Sequence, residues 1–515
     1  MRPPVLMFLL AAFAAAQLRD PRFDDPANWL TFDGDNTGQR HSRLAQIHRG
    51  NVKRLKAEWV YQTIRVPLRS EATPLVRDGM MYFTVGGTQA HALDASTGRE
   101  LWSFHLQPEG DTGADWNRGM ALSGNRVLMA TRDCRLIALD ARNGSVVWAS
   151  RVRAPEPCFG TTAAPLVWNG LAYIGQRGGD TGRMRGHLDA FDVETGARKW
   201  RIFTIPGPGE KGSQTWPATD VYKVGGGATW TAGTYDPRLN LLFWPTGNPG
   251  PKDYDGSDRK GDNLYSDSVL ALRPDTGELV WHYQFTPHDL WDWDANETPV
   301  LVDAQWRGRP RKLLLHADRN AHFYVLDRAT GEFLMAAPFA RQSWARSFTA
   351  AGRPVLNPGV VPSHRGARVC PDVHGGTNWQ PPSYHPETGL FYLLARDACG
   401  IYYPNGPEYD TGSQKPLQAL RAIDIQTGKV KWEIPLLGTA EISHAGTMTT
   451  AGGLVFFSSR DGQFMAADAL SGALLWNFNT GGTIRAAPMT YMVKGRQYVA
   501  VVTKAAVFAF ALPDQ

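Results

Sequence analysis

One eleven-residue pattern recurs along the chain and constrains its fold more than any other feature. Seven segments follow it: ALDASTGRELW (92–102), ALDARNGSVVW (138–148), AFDVETGARKW (190–200), ALRPDTGELVW (271–281), VLDRATGEFLM (325–335), AIDIQTGKVKW (422–432) and AADALSGALLW (466–476). Asp precedes Trp by eight residues, with Arg273 once in place of Asp and Met335 once in place of Trp. An apolar pair, a tight turn at Gly and an alternating strand predict a β-hairpin in every copy.

The spacing of the copies predicts how the hairpins are arranged. A half-copy, NVKRLKAEW, ends at Trp59, and most successive ends lie 43 to 54 residues apart. A period of this size with four strands per unit is typical of a β-propeller, in which neighbouring units bury each other's apolar faces. We expect the ring to close by pairing the strand near Trp59 with the last strands, 498–512. The insertions at 203–262 and 336–385 are predicted to be ordered loops that cover one mouth of the ring.

Composition narrows the class of protein. Hydrophobic residues make up 43% of the 515 residues and charged residues 20%, which indicates a folded globular chain. The 53 glycines and 35 prolines suit a turn-rich all-β fold. The net charge of +5 is mild and there is no basic run, so nucleic acid is not an expected partner.

The N-terminus has the pattern of an export signal. A short basic start precedes an apolar stretch from Val5 to Ala16, with small residues before Gln17. We therefore expect residues 1–16 to be a secretory signal peptide, and residues 17–515 to be one exported propeller domain in the periplasm. No other apolar run reaches membrane length, so no membrane span is expected.

The four cysteines of an exported chain predict disulfides. Three pairings are possible in principle. We favour Cys134–Cys158 and Cys370–Cys399, because these pairings close short loops.

The stretch WDWDANETP (291–299) alternates two aspartates with two tryptophans. In an extended strand Asp292 and Asp294 share one face, and Trp291 and Trp293 share the other. Two carboxylates so close repel each other unless a cation holds them. A metal site, an acid/base site and a solvated strand edge all remain open on this spacing.

Several further polar or aromatic residues lie outside the needs of the repeat. Asp180 and Asn248 lie in glycine-rich turns, where both residue types are also common for structural reasons. Trp230 follows GGGAT and is alternatively a tryptophan that packs between blades. Arg319 is alternatively a surface ion-pair partner of Asp318 or Asp327.

These stretches together carry a resemblance. The motifs AxDxxTGxxxW, WDxD, GGxxW, TGNP, DRN and GGTNW resemble, in order and spacing, those of the quinoprotein alcohol and glucose dehydrogenases that use pyrroloquinoline quinone (PQQ). The resemblance covers about residues 28–512 and implies an eight-bladed propeller.

The resemblance also implies roles for individual residues. Asp292 corresponds to the catalytic base and Arg319 to the cation beside the quinone oxygens. The implied metal ligands are Asp180 (where the family usually has Glu), Asn248 and Asp292, joined by Asp294. The implied cofactor contacts are Glu71, Arg118, Thr162, Trp230, Asn378 and Trp379.

The chemistry explains these residue types. PQQ accepts a hydride from an alcohol, and a metal ion polarises the quinone carbonyl. Oxygen ligands suit a hard cation. Three carboxylates, including Asp294, favour a lanthanide over Ca²⁺, although WDxD also occurs in relatives that use Ca²⁺ or Mg²⁺.

The chain departs from the family pattern at three points. The stretch GDTGADWNRG (110–119) lacks the adjacent cysteines of the alcohol dehydrogenases, and His444 replaces a bulky aromatic. A haem-bearing C-terminal domain is not expected, which implies that electrons pass to an external acceptor such as a c-type cytochrome.

The leading interpretation is a periplasmic PQQ- and metal-dependent dehydrogenase of an alcohol, sugar or polyol. One alternative is a non-catalytic propeller scaffold of the outer-membrane assembly type. Another is a degenerate propeller that binds a ligand without turnover.

Overall fold

The computed structural model describes residues 20–63, 69–109, 116–152, 157–251, 254–410, 416–436 and 444–514. The expected signal peptide lies outside these residues. The described chain is built of β-strands joined by loops and short 3₁₀ turns, and the all-β propeller class is confirmed. The 3₁₀ turns are Pro21–Phe23, Val52–Arg54, Gly179–Thr181, Ser213–Thr215, Asp220–Val224 and Ser257–Arg259.

Eight sheets of four or five strands follow one another along the described chain. Sheet 1 comprises Leu75–Arg77, Met80–Val85, Gln89–Asp94 and Glu100–His105, and sheet 2 comprises Met120–Ser123, Arg126–Ala130, Arg135–Asp140 and Val146–Arg151. Sheet 3 comprises Leu166–Trp168, Leu171–Gly175, His187–Asp192 and Arg198–Phe203, and sheet 4 comprises Thr234–Asp236, Leu241–Pro245, Ser268–Leu272 and Leu279–Gln284. Sheets 5 and 6 comprise Val300–Trp306, Arg309–Ala317, His322–Asp327 and Phe333–Pro338; Ser383–His385, Leu390–Asp397, Leu417–Asp424 and Val430–Pro435.

The last two sheets each include a strand from the N-terminal part of the chain. Sheet 7 comprises Met448–Thr450, Leu454–Ser458, Gln463–Asp468 and Leu474–Asn479, with His41–Ser42 parallel to its first strand. Sheet 8 comprises Met489–Val493, Arg496–Val502 and Ala506–Ala511, with Lys56–Gln62 antiparallel to the last of these. The predicted closure through the strand of Trp59 is confirmed.

The repeat motif explains how neighbouring sheets dock. In sheet 1 the Asp94 carboxylate accepts the backbone N–H of Ser96 at 2.9 Å, and Gly98 N donates to Asp94 O at 2.8 Å, which closes the turn. Gly98 has a φ of 72°, and a Cβ there would lie 2.5 Å from the ring of Trp59 in sheet 8. The turn glycine is therefore required both for its backbone conformation and for the close approach of the indole.

The same contact recurs from sheet to sheet. A Cβ on the turn glycine would lie within 2.9 Å of the preceding sheet's tryptophan at Gly144–Trp102, Gly196–Trp148, Gly277–Trp200, Gly331–Trp281 and Gly472–Trp432. At the deviating copy, Met335 takes the place of the indole against Gly428. Trp476 of sheet 7 donates from Nε1 to Leu55 O at 3.0 Å, and Leu55 directly precedes the strand Lys56–Gln62 of sheet 8. Eight sheets linked in this way support the prediction of eight blades, whose number stays a prediction.

Three smaller sheets lie in the connections. They comprise Arg69–Ser70 with Trp116–Asn117, Ala345–Phe348 with Pro354–Leu356, and Ala367–Val369 with Gly400–Tyr403 and Gly406–Tyr409. Both predicted disulfides, Cys134–Cys158 and Cys370–Cys399, are present. Among the described residues, no helix has the length and apolar character needed to cross a bilayer.

Candidate active site

The topology of each sheet determines where the polar loops meet. The first two strands are antiparallel, so the residues before the first strand and those after the second lie at the same edge. In sheet 4, Thr234 pairs with Phe243, which brings Trp230 and Asn248 to one edge. In sheet 5, Val300 pairs with Leu315, and the loop of Asp294 lies beside Arg319 in the same way. Neighbouring sheets thus present their loops to a shared cavity.

That cavity has a volume of about 300 Å³. Ten of the eleven residues predicted for the site line it: Glu71, Arg118, Thr162, Asp180, Trp230, Asn248, Asp292, Asp294, Arg319 and Trp379. Residues this far apart in the sequence converge because each one flanks the first or second strand of a sheet.

Three oxygen-bearing side chains meet at one point of the cavity wall. The terminal atom of the Asn248 amide that faces the two aspartates lies 3.0 Å from Asp294 Oδ1 and 2.9 Å from Asp180 Oδ1. With its nitrogen at that point the amide donates two hydrogen bonds, and with its oxygen there the amide oxygen lies beside one oxygen of each aspartate. The second arrangement is what a hard cation requires. Gly247 permits this approach, because a Cβ there would lie 2.3 Å from Asp294 Oδ1.

Asp294 connects this oxygen cluster to Arg319. Its Oδ1 accepts the backbone N–H of Asn248 at 2.7 Å, and its Oδ2 accepts Arg319 Nη1 at 2.5 Å. Burial by itself lowers the pKa of Arg319, but the net shift is upward because Asp294, Asp292 and other carboxylates surround the guanidinium. Arg319 therefore stays charged, and it is also held by a 2.6 Å hydrogen bond to Val373 O.

The WDWD stretch does not form the strand that its alternation predicts; residues 291–299 are a loop. Asp292 adopts a left-handed φ of 66°, which takes it out of extended geometry. The tryptophans and the aspartates nevertheless lie in different surroundings, as the alternation predicts. The rings of Trp291 and Trp293 stack in the core with their centroids 4.8 Å apart, whereas Asp292 and Asp294 line the cavity. The Asp289 carboxylate fixes the loop by accepting the N–H groups of Trp291 and Trp293 at 2.9 and 2.8 Å.

A second charged group surrounds Arg118. Its guanidinium lies 3.0 Å from Glu71 Oε2 and donates to Thr162 Oγ1 at 2.9 Å. The same group lies 4.2 Å from the ring of Trp379 and 4.9 Å from that of Trp230. Burial lowers the pKa of Arg118 to about 10, although Glu71 acts in the opposite direction. The guanidinium is thus held charged between two indoles.

Comparison with known proteins agrees with this geometry. The model of the PQQ glucose/ethanol/alcohol dehydrogenase β-propeller domain matches residues 29–343 and 406–499. A quinohemoprotein alcohol dehydrogenase of Comamonas testosteroni is 37% identical, over 92% of this chain and 72% of the relative. The chain belongs to the PQQ-dependent dehydrogenase family.

Two further proteins are similar along nearly their whole length. The quinoprotein alcohol dehydrogenase PedH of Pseudomonas putida is 35% identical, over 96% of this chain and 90% of the relative. A europium-containing methanol dehydrogenase superposes with a TM-score of 0.86 at 30% identity, covering 95% of this chain and 99% of that one.

The residues present fit the cofactor of the PQQ-dependent dehydrogenases. Among the described residues, the buried Nε atoms of Arg118 and Arg319 have no hydrogen-bond partner and are available to an anionic planar ligand. Indole faces at Trp230 and Trp379 offer apolar platforms for such a ligand. The side-chain oxygens of Asp180, Asn248 and Asp294 suit the metal ion that accompanies PQQ in this family.

Asn378 does not lie where a cofactor contact was expected. This residue is not among those that line the cavity, and its amide hydrogen-bonds to His374 O at 3.1 Å and to Trp379 N at 2.9 Å. It lies next to Trp379 and supports that residue's backbone. A direct contact between Asn378 and the cofactor stays a prediction.

Three charged or aromatic residues that were not predicted from the sequence also line the cavity: Trp116, Arg177 and Arg485. Arg177 adjoins the glycine-rich turn of Asp180, and its Cζ lies 4.9 Å from the ring of Trp116. Arg485 Nη1 lies 3.7 Å from Glu71 Oε1. Arg485 belongs to no motif, and only the three-dimensional fold brings it to Glu71.

Proposed function

We propose that this protein is a PQQ- and metal-dependent dehydrogenase that oxidises the hydroxyl group of an alcohol, sugar or polyol. The observation that carries the proposal is the convergence of Asp180, Asn248 and Asp294 oxygens beside Arg319 and Asp292 in one cavity. The named relatives are alcohol dehydrogenases, which supports an alcohol as the first substrate class to test.

The two charged groups in the cavity suit the two ends of the cofactor. Arg118, with Glu71 and Thr162 beside it, is placed to grip a carboxylate of PQQ through its guanidinium. Trp230 supplies a flat surface beneath the quinone and Trp379 a second indole. When bound, PQQ accepts a hydride at a quinone carbonyl carbon and the metal ion polarises that carbonyl.

Asp292 takes the proton of the substrate hydroxyl in this proposal. Its side chain is half-buried and lines the cavity, so it is open to a substrate. A carboxylate within hydrogen-bond reach of a hydroxyl is a competent general base. Arg319 would stabilise negative charge on the quinone oxygens, because it stays protonated and its guanidinium is held in place by Asp294 and Val373 O.

The metal site carries three carboxylates in this proposal, Asp180, Asp292 and Asp294, with the Asn248 amide as a fourth ligand. Asp294 divides its two oxygens between the cluster and Arg319. A set rich in anionic oxygens favours a trivalent lanthanide over Ca²⁺, since hard-oxygen sites select by charge and cavity size. The structural relative that contains europium supports the same preference.

We also infer where the protein works and how electrons leave it. The apolar N-terminal segment 1–16 supports export to the periplasm, with residues 17–515 as one propeller domain. Electrons then pass to a separate acceptor such as a c-type cytochrome.

Reconstitution tests this function. The purified protein is incubated with PQQ alone, with La³⁺ or Ca²⁺ alone, and with PQQ plus either ion, and is then gel-filtered. We expect retained quinone absorbance and alcohol-dependent reduction of an artificial dye only when PQQ and a metal are both present. A protein that retains no quinone would match the scaffold alternative, and one that retains it without oxidising any alcohol, sugar or polyol would match the non-catalytic binder.

A further inference from the structure

A second group of potential metal ligands lies outside the lining of the cavity, among residues that the proposed reaction does not use. Glu297, His316 and Asp318 each offer a ligand atom, and these atoms all lie within 4.8 Å of one another. The side chains are fully buried, with exposures of 2% for Glu297 and 0% for the other two. None of the three is among the residues that line the active-site cavity.

Sheet 5 brings the three residues together. Val300 pairs with Leu315 at the edge where the first strand begins and the second ends. Extending this register places Glu297, just before the first strand, opposite His316 and Asp318 at the end of the second. The cluster thus lies at the buried edge of sheet 5, where Glu297 and Asp318 flank the ends of the two strands.

The distances match the coordination of a metal ion. His316 Nε2 lies 3.3 Å from Asp318 Oδ2 and 3.7 Å from Glu297 Oε2. Ligand atoms bound tetrahedrally to Zn²⁺ at about 2.0–2.1 Å lie about 3.3–3.4 Å from one another. The His316 ring is held in place by stacking on Phe285 at 4.2 Å.

Hydrogen bonds within the described residues satisfy the cluster only in part. Neither carboxylate oxygen of Glu297 hydrogen-bonds to another group in the described part of the chain, and Oε2 faces His316. Asp318 Oδ1 accepts the N–H of Asn320 at 2.9 Å, and its Oδ2 hydrogen-bonds to His316 Nε2 at 3.3 Å, so a metal ion would replace the proton shared by these two atoms. Two buried carboxylates that share only one imidazole are costly unless a cation is present.

We propose that Glu297, His316 and Asp318 form a second, structural metal site that binds a divalent transition-metal ion such as Zn²⁺. The imidazole nitrogen distinguishes this site from the catalytic one. Nitrogen with carboxylate oxygen suits Zn²⁺, whereas the all-oxygen cluster of Asp180, Asn248 and Asp294 suits Ca²⁺ or a lanthanide. The second ion ties the two strand ends of sheet 5 together behind Arg319.

Metal analysis of the holoenzyme tests the proposal. The protein is first loaded with PQQ and Ca²⁺, so that the catalytic site is occupied, then dialysed against ZnCl₂ and finally against zinc-free buffer. We expect about one zinc ion per chain in the wild type and less than about a tenth of that in Glu297→Gln and His316→Gln. His322→Gln is the matched control: His322 is also a buried histidine of sheet 5 in contact with aromatic rings, which it meets edge-on, but it is not part of the cluster. It should retain the zinc.

Two further measurements identify the ligands of the ion and keep the proposal testable if a variant misfolds. X-ray absorption at the zinc edge should show one imidazole with oxygen ligands, and zinc should raise the melting temperature of the wild type and of His322→Gln. Wild-type protein that retains no zinc, a spectrum with no imidazole, or full retention in folded Glu297→Gln and His316→Gln would each overturn the proposal. The first two outcomes apply even if neither variant folds, since they concern the wild type alone.

Discussion

Arg319 and Asp294 form a buried ion pair in which the other oxygen of Asp294 receives the backbone N–H of Asn248. One carboxylate therefore links the cation expected beside the quinone to the oxygen cluster expected around the metal. Removing that carboxylate changes both at once, so substitution of Asp294 tests how far the metal preference depends on the residue that also holds Arg319.

Asp294→Ala is expected to lower lanthanide-dependent activity more than Ca²⁺-dependent activity, because it removes one negative charge from the metal site. The measurement is dye-linked turnover of apoprotein reconstituted with PQQ and either La³⁺ or Ca²⁺, with quinone absorbance recorded in parallel. Asp294→Asn is the matched control, since it removes the charge and keeps the shape. Equal Ca²⁺ activity in wild type and variant, with no La³⁺ activity in either, would exclude Asp294 as a ligand.

Trp230→Ala is expected to weaken PQQ binding, because it removes the apolar surface on which a planar ring lies. Titration of apoprotein with PQQ at fixed metal concentration measures the dissociation constant. Trp230→Phe keeps an aromatic face and should lose less affinity. Unchanged PQQ affinity in Trp230→Ala would show that the indole does not contact the cofactor.

Replacing Cys134 and Cys158 together by Ser is expected to lower the free energy of unfolding by about 3 kcal/mol, because the bridge closes a short loop and restricts the unfolded chain. Urea unfolding monitored by tryptophan fluorescence measures the change. The Cys370–Cys399 pair closes a loop of similar length, with a sequence separation of 29 against 24, and should give a similar loss. No shift in midpoint on reducing the wild-type protein would contradict this expectation.

Asp289 predicts a pH dependence of stability. Burial raises the pKa of this carboxyl to about 6 from a usual value near 3.8, even though two backbone N–H groups favour the charged form. Between those two values the folded state binds more protons than the unfolded state, so this group stabilises the fold as the pH falls from 7 towards 4. The contribution is of order 1 kcal/mol per pH unit within that window.

The control for this pH dependence is Asp289→Asn, whose amide side chain does not titrate. Unfolding free energies measured at intervals between pH 7 and 4 should show the wild type gaining stability relative to this variant as the pH falls. Parallel curves for the two proteins would mean that Asp289 titrates near its usual value.

The sequence predicted the fold because its constraints are local. The turn of Asp94, Thr97 and Gly98 closes within five residues, and the tryptophan eight positions after Asp docks on the next such turn. A regular repeat of this kind therefore determines both the hairpins and their stacking.

Residues of the site were predictable only where they lie in motifs. Asp180, Asn248 and Asp292 each belong to a short recognisable stretch, whereas Arg485 reaches Glu71 from the far end of the chain and leaves no local pattern. The WDWD stretch is not an extended strand, because the hydrogen bonds that Asp289 accepts from Trp291 and Trp293 and the burial of the tryptophan pair outweigh the alternation of residue types. The cluster of Glu297 and His316 follows from the register of sheet 5, which the sequence alone does not specify.

The most direct test of the account is the turnover number of Asp292→Asn in protein that still carries PQQ and metal. The amide preserves the shape of the side chain but cannot take a proton from the substrate at neutral pH, so we expect kcat to fall by about 10²- to 10⁴-fold while quinone absorbance and metal content match those of the wild type. Turnover close to that of the wild type in fully loaded Asp292→Asn would contradict the assignment of Asp292 as the base and, with it, the proposed organisation of the site.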